Sequence, residues 1–458
     1  MNKIRDLQKE YFNSHVTKDV GYRLKHLKEL KRVVFKYEKE ICQALYDDFR
    51  KSEFEVMSSE IGVVISELNK TIKNLKKWNK PKRVLPSLIN FPSSARIYHE
   101  PYGNVLIISP WNYPFNLALT PFVGAIAGGN TVVLKPSELT PHTSAVIRRI
   151  LEEVFDENYV AVVEGNAEVA QGLLKLKWDY IFFTGSPRVG KFVYQAAAKF
   201  LTPVTLELGG KSPALIDKTA NLRIAARRIV WGKFLNAGQT CIAPDYILID
   251  ESKSESFLSF LKEEIRKQYG DTPRNSPDFP RIINSPNFER LKAMLDKNKI
   301  VIGGDYDETE HYIAPTVLLN PDLESAVMQG EIFGPILPVI TYNTMETAEK
   351  VIKKYPKPLA FYIFSNNKKT QKYIINKYSF GGGVINDTVV HFINDRLPFG
   401  GVGESGISQY HGKHSFYTFT REKSVVKRYN WLDIPVRYLP STDLKKKLAK
   451  FFLTGKIR

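Results

Sequence analysis

Over residues 1–80 the apolar positions recur every three or four residues. Leu24, Leu27, Leu30, Val34, Tyr37, Ile41 and Leu45 make one stripe; Met57, Ile61, Val64, Leu68, Ile72 and Leu75 make another. This is the period of helices with one buried face and Lys and Glu on the others. The segment reads as scaffold with no part in a site. Pro81, Pro86 and Pro92 then break the pattern, and Arg96–Glu100 reads as an exposed strand. At Val105–Ile108 the chain turns short, apolar and β-branched, the mark of a buried strand. Thr131–Leu134, Tyr159–Val163, Tyr180–Phe183 and Val204–Glu207 are further strands, with helical sequence between them. Thr140 before Pro141 and Ser186 before Pro187 signal helix starts, and the first of these helices should run to about Phe155. A second alternating set includes Tyr246–Ile249, a helix around Phe257–Lys267 and Ala360–Phe364. The alternation predicts an α/β fold whose parallel sheet is covered on both faces.

Composition narrows the setting. A chain of 458 residues should hold two or three domains. Its 43% hydrophobic and 25% charged content is that of an ordinary globular protein. Two cysteines cannot build a disulfide framework, so a cytoplasmic location is expected. No apolar run follows the first charged residues, and no stretch nears ~18 consecutive apolar positions, so neither signal peptide nor membrane span is expected. Lys and Arg number 66 against 48 Asp and Glu, a net charge of +18. A solvated basic surface accounts for most of that excess, and no nucleic-acid partner is expected. The C-terminus differs. Leu444, Leu448, Phe451 and Phe452 fall on one helical face, with Lys445, Lys446, Lys447 and Lys450 off it and Lys456 and Arg458 beyond. Such a helix either packs its apolar face on the protein or lies peripherally on an anionic membrane, here the inner face.

The chemistry centres on Asn236-Ala237-Gly238-Gln239-Thr240-Cys241-Ile242-Ala243-Pro244. Its small residues bend the chain tightly and leave room for a ligand beside the thiol. The flanks are unlike those of a core cysteine, whereas Cys42 in Ile-Cys-Gln-Ala-Leu has ordinary core surroundings. Asn112 follows a buried strand, where open sheets place ligands; its amide suits an oxyanion, and it is equally a turn asparagine between two prolines. Lys135 and Glu138 follow the next strand, placed to bond ribose hydroxyls. The turn Phe183–Lys191 could hold a pyrophosphate on backbone N–H groups. It has the spacing of a triphosphatase P-loop, but Phe192 stands where that motif needs Ser or Thr for magnesium. Glu207, beside Gly209 and Gly210, is a candidate general base. The eight histidines lack metal-ligand spacing, so no metal is expected, and no Gly-x-Ser-x-Gly elbow is present.

Pro110–Pro114, Lys135–Glu138, Phe183–Lys191, Glu207–Pro213, Gly238–Tyr246, Glu331–Pro335 and Pro398–Gly403 together resemble the aldehyde dehydrogenase superfamily, in its order and over residues 10–440. Cys241–Tyr246 resembles the class 3 branch of fatty and aromatic aldehyde dehydrogenases. The resemblance implies Cys241 as nucleophile, Asn112 as oxyanion donor and Glu207 as base. It implies NAD, with NADP an alternative, held by Pro110, Trp111, Lys135, Ser137, Glu138, Gly185, Ser186, Gly190, Leu208, Gly209, Glu331, Phe333 and Phe399. Glu331 would bond the nicotinamide ribose, with a share in base catalysis also open. The implied fold is a Rossmann-type cofactor domain (1–80 and 102–207), an α/β catalytic domain (208–400), a bridging β element (81–101 and 401–430) and a basic tail (431–458). The implied protein is a homodimer that oxidises an apolar aldehyde, medium to long-chain, aromatic or polyene, to its acid. The alternatives are a CoA-acylating enzyme, against which Glu207 argues, and a non-catalytic membrane-surface protein keeping the fold.

Overall fold

Strands that are apolar on both faces need a helical layer on each side, and parallel βαβ connections supply it. Two such sheets form in the computed structural model, which describes residues 1–87, 90–433 and 435–454, with Val436 and Phe452 as backbone alone. The first sheet has six strands in the order Gly406–Ile407, Val204–Glu207, Tyr180–Thr184, Asn104–Ile108, Thr131–Lys135, Val160–Val162. All run parallel except Gly406–Ile407, which returns antiparallel on Val204–Glu207. The second has seven strands: Ile300–Ile302, Thr316–Leu319, Ile336–Tyr342, Tyr246–Asp250, Pro213–Ile216, Ala360–Phe364, Gly382–Ile385. Only Ile300–Ile302 is antiparallel to its neighbour.

Side-chain alternation divides the first sheet between two cores. Val105, Ile107, Val132 and Leu134 face one, with the wholly buried helix Asn116–Gly128. Leu106, Ile108, Val133 and Leu206 face the other, with Val193 and Ala197 of helix Pro187–Ala198. Helices Asn2–Asn13, Val20–Lys36, Glu38–Phe49 and Gly62–Trp78 fill the N-terminal segment, and Leu27, Leu30, Val34, Ile41 and Leu45 are fully buried. The second apolar stripe is not one regular helix: Met57–Ile61 forms a π-turn.

Ser186 caps its helix as expected, accepting the Val189 N–H. Thr140 stands at the N-cap position of Pro141–Val154, but its hydroxyl does not cap and has no partner among the described residues. Asp48, at the end of Glu38–Phe49, supplies the cap instead. It accepts the His142 N–H at 3.1 Å and the Thr143 N–H at 2.9 Å.

The chain divides into two compact units, Met1–Trp78 with Glu100–Arg421 and Asn79–His99 with Glu422–Arg458. The first carries both large sheets. The second is built on a three-stranded sheet ordered Lys82–Val84, Ser93–Pro101, Thr420–Arg428, and carries the helix Asp443–Thr454. Among the described residues no helix is long and apolar enough to cross a membrane.

Candidate active site

Helix Leu222–Phe234 ends in a tight turn at which Asn236, Ala237 and Gly238 all have positive φ, at 54°, 51° and 76°. Two of these are not glycine, a conformation held only where the surroundings over-determine it. Gly238 has no alternative, since a Cβ there would lie 2.3 Å from the Gly334 carbonyl oxygen. Gln239 is the lock. Fully buried, it donates to the carbonyls of Asn236 at 3.0 Å and Arg281 at 3.1 Å and accepts the Ile283 N–H at 3.1 Å. Tyr113 and Thr240 share a hydroxyl hydrogen bond of 2.7 Å, and the Tyr362 hydroxyl donates to the Ile242 carbonyl. Cys241 therefore sits on a backbone pinned on both sides. Its thiol opens on a cavity of about 440 Å³ whose wall also holds Glu207, Leu208, Phe399, Thr184, Tyr113 and Trp231.

Two carboxyls face this thiol electrostatically. Glu207, ending the strand Val204–Glu207, is 2% exposed, and neither oxygen has a partner among the described residues. Burial alone pushes its carboxyl well above the usual carboxylate range. Glu331 lies against Gly209, where a Cβ would meet its Oε2 at 2.0 Å. Burial first, and the charge of Asp245 second, push Glu331 up to about 8, against the Gly210 N–H, Lys211 and Lys233. The segment bearing Glu331 is tied down by Lys211, which donates to Asp245 at 2.6 Å and to the carbonyls of Val327 and Gly330 at 2.9 Å each. Burial raises the Cys241 thiol, and the charges of Glu331 and Glu207 raise it further, while the N–H groups of Cys241 and Ile242 oppose.

Asn112 is buried directly before Tyr113, which lines the cavity together with Asn116. Its Nδ2 donates to the Gln239 carbonyl at 3.0 Å, while its own carbonyl accepts from Asn236 Nδ2 at 2.8 Å and Lys51 Nζ at 3.2 Å. An amide has two N–H donors, so one remains for a ligand. Lys51 is itself fully buried in an ion pair of 2.7 Å with Glu60, and Glu60 accepts the Asn116 N–H at 2.8 Å.

The remaining predicted residues gather where the first sheet's adjacent strands end. Pro110 and Trp111 follow Asn104–Ile108, Ser137 and Glu138 follow Thr131–Lys135, Gly185 and Ser186 follow Tyr180–Thr184, and Leu208 and Gly209 follow Val204–Glu207. Lys135 and Glu138 pair with each other at 2.6 Å. Ser137 Oγ accepts the Leu139 N–H at 3.2 Å. Gly185 N–H is taken by the Glu207 carbonyl at 3.0 Å, and Val189 N–H by Ser186, so the turn offers an anion fewer donors than its glycines suggest. Gly190 lets the helix approach the strand end, since a Cβ there would stand 2.7 Å from Leu208 Cδ2. Phe333 comes from the second sheet's side and meets Trp111 edge-on at 5.4 Å. Phe399 is bridged to Tyr410 by backbone hydrogen bonds of 3.0 and 2.7 Å. Ser109 Oγ, Thr184 Oγ1 and Glu331 Oε1 are buried at this edge without partners among the described residues. That edge fits a polar dinucleotide.

The N-terminal segment is more than scaffold, against the expectation from its periodicity. Ser52, Phe54, Glu55, Ser58 and Ser59 line the cavity, and Lys51 and Glu60 lie beneath Asn112. Lys51, Glu55 and Glu60 showed only charge on an amphipathic helix, which solvated faces share, and Ser52, Phe54, Ser58 and Ser59 gave no signal. Trp231 and Phe392, also on the cavity wall, carried no signal beyond apolarity.

Comparison with known proteins agrees with this geometry. A match to the aldehyde dehydrogenase family spans residues 2–425. The 4,4'-diaponeurosporen-aldehyde dehydrogenase of Staphylococcus aureus is 48% identical over 446 residues, covering 97% of this chain and 97% of its own. The dimeric NADP-preferring aldehyde dehydrogenase of Rattus norvegicus is 45% identical over 427 residues, covering 93% of this chain and 94% of its own. Among solved structures, the substrate-bound state of Staphylococcus aureus AldH matches with a TM-score of 0.97 at 47% identity over 99% of each chain. The chain belongs to the aldehyde dehydrogenase family, and its activity is the NAD(P)-dependent oxidation of an aldehyde.

Proposed function

We propose that the substrate is a long apolar aldehyde, a polyene aldehyde included, oxidised to its acid through a covalent adduct on Cys241. The observation that carries this reading is one largely apolar cavity whose wall presents both Cys241 and an unpartnered Glu207. The Cys241 thiolate adds to the carbonyl to give a thiohemiacetal, whose oxyanion takes the free N–H of the Asn112 amide and the Cys241 backbone N–H. Loss of hydride from that carbon leaves a thioester on Cys241. Glu207, as carboxylate, takes a proton from the water that hydrolyses it. A nicotinamide cofactor supplies the hydride acceptor when bound. Pro110, Trp111, Lys135, Ser137, Glu138, Gly185, Ser186, Gly190, Leu208, Gly209, Phe333 and Phe399 would hold it, with Glu331 on the nicotinamide ribose. In this reading residues 1–80 and 102–207 form the cofactor domain, which also contributes Asn112, Glu207 and part of the cavity wall, and 208–400 form the catalytic domain that carries Cys241. The polyene class is supported by the name of the Staphylococcus aureus relative.

The test is NAD reduction across aldehydes of graded length, with and without CoA. We expect turnover to rise with chain length and to ignore CoA. Turnover that requires CoA would make the enzyme an acyl-CoA former instead.

We also infer a cytoplasmic homodimer, supported by the word dimeric in the rat relative's name, with 81–101 and 401–430 as the bridging element. For the tail, helix Asp443–Thr454 leaves Leu444 68% and Phe451 38% exposed and Leu448 half-buried on the face read from the sequence, which supports a peripheral membrane contact. The Phe452 side chain, Lys456 and Arg458 lie outside the described residues.

A further inference from the structure

The cavity holds a polar side chain that oxidation at Cys241 leaves unused. Glu55 lies on the short helix Glu53–Val56, where its N–H donates to Ser52 Oγ at 3.3 Å. The π-turn follows at once, and Ser59 Oγ donates back to the Glu55 carbonyl at 2.7 Å. Single π-turns of this kind recur at functional sites. Glu55 is 5% exposed, and its Oε1 has no partner among the described residues. Lys51 is already committed to Glu60 at 2.7 Å. The same cavity is lined by Phe54, Leu117, Trp231 and Phe392, and the buried Tyr113 and half-buried Tyr269, also on its wall, feel the Glu55 charge. The carboxyl takes the Asn236 N–H, which leaves Oε1 as a buried acceptor without a donor among the described residues, and an acceptor left so is destabilising unless a ligand supplies the donor.

We propose that Glu55 is a specificity residue: it accepts a hydrogen bond from a donor, a hydroxyl or an ammonium, carried on the aldehyde's otherwise apolar chain. This rests on the reading of Cys241 as the site of aldehyde oxidation. Asp278, exposed on the same cavity, adds negative charge on that side. Burial, the larger cause, holds Glu55 at about 7, with Lys51 pulling it down and Glu60 pushing it up.

The test compares kcat/KM, with NAD, for a straight-chain aldehyde and analogues whose hydroxyl or amino group is moved carbon by carbon. In the wild type one position should give an advantage over the plain aldehyde on the order of tenfold. Glu55→Leu should reverse it, raising the plain aldehyde and lowering the analogue. Glu55→Gln identifies the donor, since it keeps an acceptor for a hydroxyl but loses the charge that favours an ammonium. Should Glu55→Leu fail to fold by circular dichroism, Glu55→Ala carries the same reading. No preferred position in the wild type, or a preference that survives loss of the carboxyl, overturns the proposal. Failure of the wild type on the plain aldehydes is a separate result and counts against the oxidation reading itself.

Discussion

At the cavity the Cys241 thiol and the Glu207 and Glu331 carboxyls each titrate away from their ordinary values, and for the proposed reaction the direction fixes the pH dependence. The thiol is raised by burial and by Glu331 and Glu207. Glu207 is raised by burial. Only the thiolate attacks and only the carboxylate takes a proton, so turnover should climb with pH through these raised values. A pH–rate profile falling from neutral to alkaline pH would contradict this. Cys241→Ser should lower turnover by at least about a thousandfold while NAD affinity, followed by fluorescence titration, stays near wild type. Glu331→Gln should slow the hydride step, read by stopped flow, without trapping an adduct. Cys241 and Glu207 could be singled out as candidates because each stands in an unusual segment, Glu331 only through the family resemblance, and the fold puts Cys241 and Glu207 on one cavity. Glu55 and Gln239 could not be singled out, because burial and missing partners are properties of the fold and leave no mark on residue type.

At the scale of elements, two charges from the N-terminal segment support the loop that bears Asn112. Lys51 and Glu60 are both fully buried in a 2.7 Å pair, and Lys51 also holds the Asn112 carbonyl. Lys51→Met strands a buried carboxylate and should cost about 3–5 kcal/mol in urea unfolding. Lys51→Met with Glu60→Gln should cost much less, and equal costs would mean that the charges are not coupled. Asp48→Ala removes the cap of Pro141–Val154 and should cost about 1 kcal/mol with turnover unchanged. The strands were legible because runs such as Val105–Ile108 are apolar throughout. Thr140 misled because a cap read from sequence looks only at neighbours, whereas the fold brought Asp48 from another helix.

Across the molecule, several carboxyls fold as acids. Burial, the first cause in each, holds Glu55 and Glu67 at about 7 and Glu331 at about 8. Each folded value exceeds the unfolded one, so the stability they contribute is complete below the ordinary 4.5 and is lost as pH rises through 7 to 8. Melting temperature should fall between about pH 4.5 and 8, by an amount worth on the order of a few kcal/mol, and level off above, and Glu67→Gln should flatten the fall. Glu67 accepts the Gly412 N–H at 3.0 and 2.9 Å, a bond a neutral side chain can also accept. The tail gives a separate test. Full-length protein should bind anionic vesicles, less so in salt, and a chain cut before Leu444 should not. Equal binding by both would remove the membrane reading. Both sheets were foreseeable from the alternation of strand and helix, but their neighbour order was not, since Gly406–Ile407 joins Val204–Glu207 from far along the chain.

The central step of the proposed reaction is a thioester at Cys241 that Glu207 resolves. Glu207→Gln mixed with aldehyde and NAD should give a burst of about one NADH per active subunit. Intact-mass and peptide spectra should then show one acyl group on Cys241. Steady turnover without an adduct, or an acyl group on another residue, would contradict it.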